Sequence, residues 1–288
     1  MLSADEACRG LLPILFHDQH LIAIHKPAGL LVHRSAIDRR EHRFALQMLR
    51  EQIGQRVYAV HRLDKGTSGV LLFALSSAVG RALSSSFEQR QVGKNYLAVV
   101  RGHPPLAGEI DHPLRRHLER CERGSAATAT ATQTQDAWTR YRTLATSELP
   151  HRVDRYPSSR YALVELEPLT GRRHQLRRHL KHISHPVIGD ATYGKGGHNR
   201  LFQTLFACHR MLLACVELRL PHPVSGAMLT LRAPLASDFC RLLARLEWTA
   251  AVPPQWLLDG REGPADSATV DDQRARNAAS HPSPSLRG

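Results

Sequence analysis

The sequence predicts an α+β chain, with short strands and helices mixed along one folded stretch. Three observations carry this: short apolar runs bounded by turn residues, apolar positions that repeat at helical spacing, and two pairs of runs joined by short polar connectors. Ile14 to Phe16 and Leu21 to Ile24, joined across His17-Asp18-Gln19-His20, are predicted to form a hairpin. Extended structure is predicted to resume over Gly29 to Val32 after the Lys26-Pro27 break, because a residue before proline is held out of the helical region. Val57 to Val60 and Val70 to Leu75 are strands on either side of a polar loop. Val79, Leu83 and Phe87 share one face of a helix, and Tyr96 to Val100 returns to strand. Tyr161 to Leu166 is a further strand. It leads through Pro168-Leu169-Thr170-Gly171 into a helix with Leu176, Leu180 and Ile183 on one face. Val216 to Leu220 and Met228 to Leu231, joined through Pro-Val-Ser-Gly, form a second hairpin, and Phe239 to Leu246 a closing helix.

Charge narrows the function. The 288 residues include 39 Lys and Arg against 26 Asp and Glu, a formal charge of +13, which favours a phosphate-rich partner. Nucleic acid leads, with an anionic membrane surface behind it. A hydrophobic fraction of 42% excludes a wholly disordered chain. No apolar run approaches the roughly 18 residues of a membrane helix. Asp5 and Glu6 precede the short apolar run Leu11 to Phe16, which is wrongly flanked for a secretory signal, so a cytoplasmic location is expected. Cys8, Cys121, Cys208, Cys215 and Cys240 are odd in number and never spaced Cys-x-x-Cys, which suggests neither a disulfide framework nor a zinc knuckle.

Two stretches are predicted to be unstructured. Gly124 to Gln135, GSAATATATQTQ, has no bulky apolar residue and no charge, and reads as a flexible surface insertion over about 120–136. Arg261 to Gly288 is poor in large aliphatic side chains and reads as a solvated tail, so the folded part is expected to run from about residue 10 to 258 and the tail from 259 to 288.

Two segments carry candidate chemistry. His61-Arg62-Leu63-Asp64-Lys65-Gly66-Thr67-Ser68-Gly69 lies between two predicted strands, where a scaffold presents reactive groups. Its plainer reading is a turn in which Asp64 caps the backbone near Gly66. Ser68 lacks the Gly-x-Ser-x-Gly elbow of a nucleophilic serine. The second segment, Gly171 to His182, holds five Lys or Arg, three His and no acid, on a helix with a clear apolar side. Such a face can grip phosphates, and one of its arginines turned inward could pair with a buried carboxylate. Gly189 to Gly196 nearly spells a nucleotide-binding loop, but the position that must offer magnesium a hydroxyl is glycine. His174, His179, His182 and His185 sit in a field of cations that repels a divalent metal, so phosphate contact and packing are their expected roles.

Four blocks, His61 to Gly69, Lys94-Asn95-Tyr96-Leu97-Ala98-Val99-Val100-Arg101-Gly102, Thr170 to Arg177, and His185-Pro186-Val187-Ile188-Gly189-Asp190, resemble in order and context the RluA family of pseudouridine synthases. The resemblance runs from about Ile14 to Trp248 and includes Lys26-Pro27-Ala28-Gly29 and Pro221-His222-Pro223. Val32-His33-Arg34-Ser35 followed by Asp38, and Arg177-Arg178-His179-Leu180, are similar to members that act on uridine 65 of tRNA. The family's fold implies a mixed, mostly antiparallel sheet flanked by helices around a central catalytic cleft. No S4 domain is expected ahead of it.

The resemblance also implies roles. Asp64 matches the catalytic aspartate, Arg62 the arginine that helps displace the target base, Tyr96 the tyrosine of the uracil pocket, Leu176 the apolar residue packed beside it, and Arg177 the basic partner of the aspartate. Arg172, Arg173, Arg178 and Lys181 are candidate RNA phosphate contacts. Flipping a nucleotide from its stack costs a few kcal/mol, which an aromatic face and edge hydrogen bonds offset. An ionised carboxylate then either attacks the sugar or removes one of its protons. Because the product is an isomer of the substrate, no cofactor and no metal is expected. The expected partner is tRNA, with large-subunit rRNA as the alternative, no membrane, and a monomer favoured. A non-catalytic RNA-binding protein or chaperone is the alternative of another class.

Overall fold

A run such as Val70 to Ala74 offers no polar side to water and must be covered on both faces. In the computed structural model, which describes residues 10–34, 41–116 and 133–257, this run lies within a strand whose every residue is buried. In chain order the elements are β1 (Ile14–His17), β2 (Leu21–Lys26), α1 (Ala45–Ile53), β3 (Tyr58–Ala59), β4 (Ser68–Ala74), α2 (Ser77–Glu88), β5 (Gly93–Arg101) and β6 (Ala107–Asp111). They continue with β7 (Leu114–Arg115), β8 (Thr134–Gln135), β9 (Trp138–Leu149), β10 (Ser159–Pro168), α3 (Gln175–His182), α4 (Gly196–Phe206), β11 (Leu213–Pro221), β12 (Met228–Arg232) and α5 (Ser237–Arg245). The main sheet has the order β1-β2-β4-β11-β5-β10-β9-β6, with β3 also on β4 and β12 also on β11, while β7 and β8 form a separate ribbon.

The pairings are antiparallel except that of β4 with β11, which are parallel through Ser68–Ala214 and Gly69–Cys215. The α+β class and the mostly antiparallel sheet therefore stand as expected. Both predicted hairpins form, the first as β1–β2 and the second as β11–β12. In the first, one Asp18 carboxylate oxygen accepts from the His20 and Leu21 amides at 2.7 and 2.8 Å, which closes the turn.

Alternation along the central strands splits the core. Leu97 and Val99 of β5, with Tyr161 and Leu163 of β10, pack against Phe202 of α4, Phe239 and Leu243 of α5, and Trp248 and Trp256 beyond them. The opposite faces, Ala98 and Val100 with Ala162, Val164 and Leu166, lie under Leu176 and Leu180 of α3. A third cluster joins β2 and β4 to Leu49 of α1 and Leu83 of α2. Both faces of the sheet are thus covered, which is why its centre reads as near-continuous apolar runs. Among the described residues no helix is long and apolar enough to cross a membrane.

Two expectations need correction. Gly29 to Val32 is not a strand: Leu31 makes a single bridge to Phe44, and the segment curls because the buried Lys26 ammonium draws in the carbonyls of Pro27 and Leu30, at 2.8 and 2.7 Å. The end of the predicted flexible insertion is ordered. Thr134 and Gln135 pair with Arg115 and Leu114, and the Asp136 carbonyl accepts from Arg172 Nε at 3.0 Å, so backbone hydrogen bonds supply what the side chains lack. The rest of that insertion to residue 132, the tail, Cys8, Cys121, Ser35 and Asp38 lie outside the described residues.

Gly69 marks where β4 and β11 close. Its φ is +113°, and a Cβ there would stand 1.9 Å from the Cys215 carbonyl oxygen. Gly69→Ala is expected to cost about 3 kcal/mol or more. Urea denaturation checks this, and a loss below about 0.5 kcal/mol would contradict the close-approach argument.

Two imidazoles are built in as neutral groups. Fully buried His179 uses Nε2–H to donate to the His112 carbonyl and Nδ1 to accept from the Thr139 hydroxyl, each at 3.0 Å. His61 Nε2 accepts from the Leu72 amide at 2.9 Å, and its ring stacks on Phe87. Burial holds His179 down to about 4 and His61 down to about 3, against 6.5 for an ordinary imidazole. Between those limits the unfolded chain binds protons that the native one refuses. The contribution of these two imidazoles to stability is therefore expected to be level above pH 6.5 and to fall as pH drops from 6.5 toward 4. Urea midpoints at a series of pH values report this, and His179→Gln should flatten the fall.

Candidate active site

Asp64 stands on a loop that is tied down along its length. His61 is fastened to β4, Leu63 is buried, and the Thr67 amide donates to the Asp64 carbonyl at 3.0 Å. The next carbonyl, that of Lys65, accepts from the Gly29 amide at 2.8 Å and from Lys26 Nζ at 3.2 Å. The Lys26 ammonium thus meets three carbonyls with its three N–H groups, joining the Lys-Pro-Ala-Gly segment to the Asp64 loop. Burial nevertheless pushes its pKa down to about 7.

Sheet register brings distant segments to this loop. Gly69, where the loop enters β4, pairs with Cys215 of β11, Cys215 with Tyr96 of β5, and Tyr96 with Leu166 near the end of β10. Tyr96 and the exit from β10 therefore lie in one line with the Asp64 loop. Burial, with help from the Cys215 thiol and Asp64, raises the Tyr96 pKa well above its usual value, so its hydroxyl stays protonated.

The exit from β10 leads to α3, and Gln175 anchors that helix. Its Oε1 accepts from the Thr170 hydroxyl at 2.7 Å and the Arg172 amide at 2.9 Å, while Nε2 donates to the Trp138 carbonyl at 2.8 Å and to Thr139 Oγ1 at 3.0 Å. Leu176 and Leu180 face the core, which fixes the rotation of the helix. Arg177 is turned inward, with a side chain 9% exposed.

Its guanidinium meets two acids. Nη1 donates to Asp64 Oδ2 at 2.9 Å, while Nε and Nη2 donate to the two oxygens of Asp190 at 2.7 and 2.8 Å. Burial disfavours the Arg177 charge, but Asp190 and Asp64 outweigh it and raise the pKa. Asp190 has a fully buried side chain and is opposed by the same burial. Hydrogen bonds from Arg177 and the Tyr193 and Thr192 amides hold its pKa below the usual carboxylate value. The turn reading, in which Asp64 merely caps its own loop, is displaced by this contact between residues 113 positions apart.

A cleft of about 700 Å³ opens here, and it gathers Arg62, Asp64, Tyr96, Leu176 and Arg177, the five residues to which the family resemblance assigned catalytic or base-binding roles. Arg172 and Arg173 also line it. Arg178 and Lys181 are not among its lining residues: Arg178 Nη1 donates to the Arg115 carbonyl at 3.1 Å, and Lys181 Nζ lies 5.8 Å from the centre of the Tyr193 ring. Sequence reasoning passed over Arg90 and Lys94, which line the cleft as well. Asp64 and Glu88 are the acids among the lining residues, so the cleft is strongly cationic.

The four histidines diverge. His174 lies at the cleft with Nε2 3.9 Å from Asp64 Oδ1, His179 is buried on Thr139, His182 stacks on His112, and His185 donates from Nδ1 to the Arg101 carbonyl. Among the described residues no group of His, Cys, Asp and Glu could hold a metal ion. Asp190, which the sequence offered in a failed nucleotide loop and at the end of the fourth family-like block but with no role, was the residue most fully missed. Its signal was visible, since it is the one acid between Arg172 and Arg200.

Comparison with known proteins agrees with this geometry. A family model described as RNA pseudouridylate synthase matches residues 20–182. A tRNA pseudouridine synthase C of Pectobacterium carotovorum is 48% identical over 89% of this chain and 67% of its own length, and one of Vibrio vulnificus is 43% identical over 84% and 98%. Among solved structures, human RNA Pseudouridylate Synthase Domain Containing 1 aligns with a TM-score of 0.60 at 26% identity, covering 86% of this chain and 90% of that one. Human RNA Pseudouridylate Synthase Domain Containing 4 aligns with the same score at 28% identity, covering 82% and 93%. With the motifs, the sheet and these relatives in agreement, the chain belongs to the RNA pseudouridylate synthase family, in the RluA group that its four sequence blocks resemble.

Proposed function

We propose that this chain isomerises a single uridine of tRNA, uridine 65, to pseudouridine, with Asp64 as its catalytic carboxylate. The observation that carries the reading is the meeting of Asp64, Arg177 and Tyr96 in one cationic cleft, from three elements far apart in sequence. The substrate is inferred from the relatives, whose names specify tRNA.

In this reading the target nucleotide leaves its stack and enters the cleft. Tyr96 takes the face of the uracil, and Arg62 fills the space left in the RNA. Asp64 breaks the bond between C1′ and N1, either by bonding to C1′ or by taking a ribose proton to form a glycal. Uracil departs with the bonding pair. It turns within the cleft and C5 bonds to C1′ as the Asp64–C1′ bond breaks or, from the glycal, as Asp64 returns its proton to the ribose; the C5 proton is then lost and N1 gains one, so atoms and electrons balance without an external oxidant or reductant. Arg172 and Arg173, on the turn that precedes α3, hold phosphates beside the flipped nucleotide, and Arg178 and Lys181, on α3 outside the cleft, hold the flanking backbone. Salt is expected to weaken binding accordingly.

Asp64→Asn keeps the size of the side chain and removes its charge. It is expected to lower pseudouridine formation in a tRNA transcript by at least about 10³-fold while tRNA affinity stays within about threefold. Carbodiimide-primed mapping of the modified base reads the first quantity, and filter binding the second. Turnover at the wild-type rate by the variant would overturn the catalytic assignment. Pseudouridine formed in large-subunit rRNA with tRNA untouched would overturn the substrate, and binding without turnover by the wild-type protein would identify a non-catalytic RNA binder.

A further inference from the structure

Asp190 is not among the residues lining the cleft, yet it makes more hydrogen bonds to Arg177 than Asp64 does. Its Oδ2 accepts from Arg177 Nε, and its Oδ1 accepts from Arg177 Nη2 and from the Thr192 and Tyr193 amides at 2.8 and 3.0 Å. The carboxylate accepts four hydrogen bonds and its side chain is fully buried, so it presents no edge to a substrate.

The turn that carries it is seated firmly. Gly189 has φ +80°, a Cβ there would stand 2.0 Å from the Arg210 carbonyl oxygen, and its amide donates to Asn199 Oδ1 at 2.8 Å. Asn199 Nδ2 donates in return to the Asp190 carbonyl at 3.1 Å. Tyr193, from the same turn, lies with its ring 5.0 Å from the guanidinium carbon.

A two-point fork fixes the plane of a guanidinium, whereas a single contact leaves it free to swivel. With Nε and one N–H of Nη2 held by Asp190, the plane of Arg177 is fixed, and in that plane the guanidinium reaches Asp64 through Nη1 alone, on a single oxygen, Oδ2. Without Asp190, the same arginine could close a fork on Asp64 and occupy both of its oxygens, or follow an RNA phosphate. We propose that Asp190 is the positioning residue of this site: by holding the forked edge of Arg177 it limits Asp64 to one guanidinium hydrogen bond and keeps Oδ1 available to the ribose. The inference rests on the reading of Asp64 as the catalytic carboxylate.

The test is a set of single-turnover measurements, with the full-length enzyme in excess over a tRNA transcript, on D190N, R177A, the double variant, R177K and D64N. D190N is expected to form pseudouridine about 100-fold more slowly at saturation, with tRNA affinity within about threefold. Because Asp190 acts through Arg177, adding D190N to R177A is expected to slow the reaction no further, whereas a separate structural role would make the two losses multiply. A D190N rate equal to wild type, a loss confined to tRNA affinity, or multiplying losses would each overturn the proposal. Should D190N fail to fold, R177K decides: an ammonium keeps the charge but cannot span both acids, so it should lose as much rate as R177A, and a rate near wild type would refute the fork. Activity of D64N in the same assay would refute the underlying reading. An inactive D64N beside a fully active D190N would refute only the role of Asp190.

Discussion

One guanidinium shared between two carboxylates is the interaction on which the site depends. Arg177 lies at the meeting of three independent pieces of structure: a loop before β4, a helix after β10, and the turn at 189–193. Burying one carboxylate with one arginine is at best a balanced exchange of solvation for Coulomb attraction. Here the deeper acid, Asp190, also receives two backbone amides, which compensates its loss of water, while Asp64 keeps a side chain 26% exposed. The trio is therefore graded, closed and saturated at the back and open at the front.

What allows the trio to form is the sheet. The cross-strand line Gly69, Cys215, Tyr96, Leu166 puts the start of β4, the middle of β5 and the end of β10 side by side. Slipping any of these strands by one residue would reverse its faces and turn Tyr96 from the cleft. The close approach at Gly69 leaves no room for a side chain between β4 and β11, and the cores on both faces hold the strands in place. Packing on the far side of the sheet thus bears directly on the chemistry.

The surplus of positive charge is sorted by the fold. On the outer strands, Arg140 pairs with Glu109, Arg142 with Glu165, and Arg160 with Glu148; Arg219 and Arg232 share the buried Glu217. Exposed pairs of this kind add little stability. Their effect is on the map of charge, because these acids are paired away from the cleft. Around the cleft, Arg62, Arg90, Lys94, Arg172 and Arg173 share the lining with only Asp64 and Glu88 as acids, which concentrates positive field there.

Strands whose two faces are buried were legible in the sequence, β4 because its apolar run is unbroken and β10 because Tyr161 to Val164 is continuously apolar, and α2 and α3 because their apolar residues recur every turn. By contrast, β9 is half-exposed and carries Thr, Arg and Ser among its apolar residues, while α4 opens on two glycines and buries only His198 and Phe202, so neither shows a clear period. The four motif blocks were enough to nominate Asp64, Arg62, Tyr96, Leu176 and Arg177, since each belongs to a contiguous pattern. The sequence could not say that Arg177 would divide itself between two acids, that Lys26 would bind the carbonyl next to Asp64, or that Arg178 and Lys181 would lie outside the cleft while Arg172 and Arg173 line it. These are facts of relative position, set by register and helix rotation between segments 13 to 113 residues apart. Local pattern determines which elements form and which groups they carry, whereas only tertiary packing decides which of those groups meet.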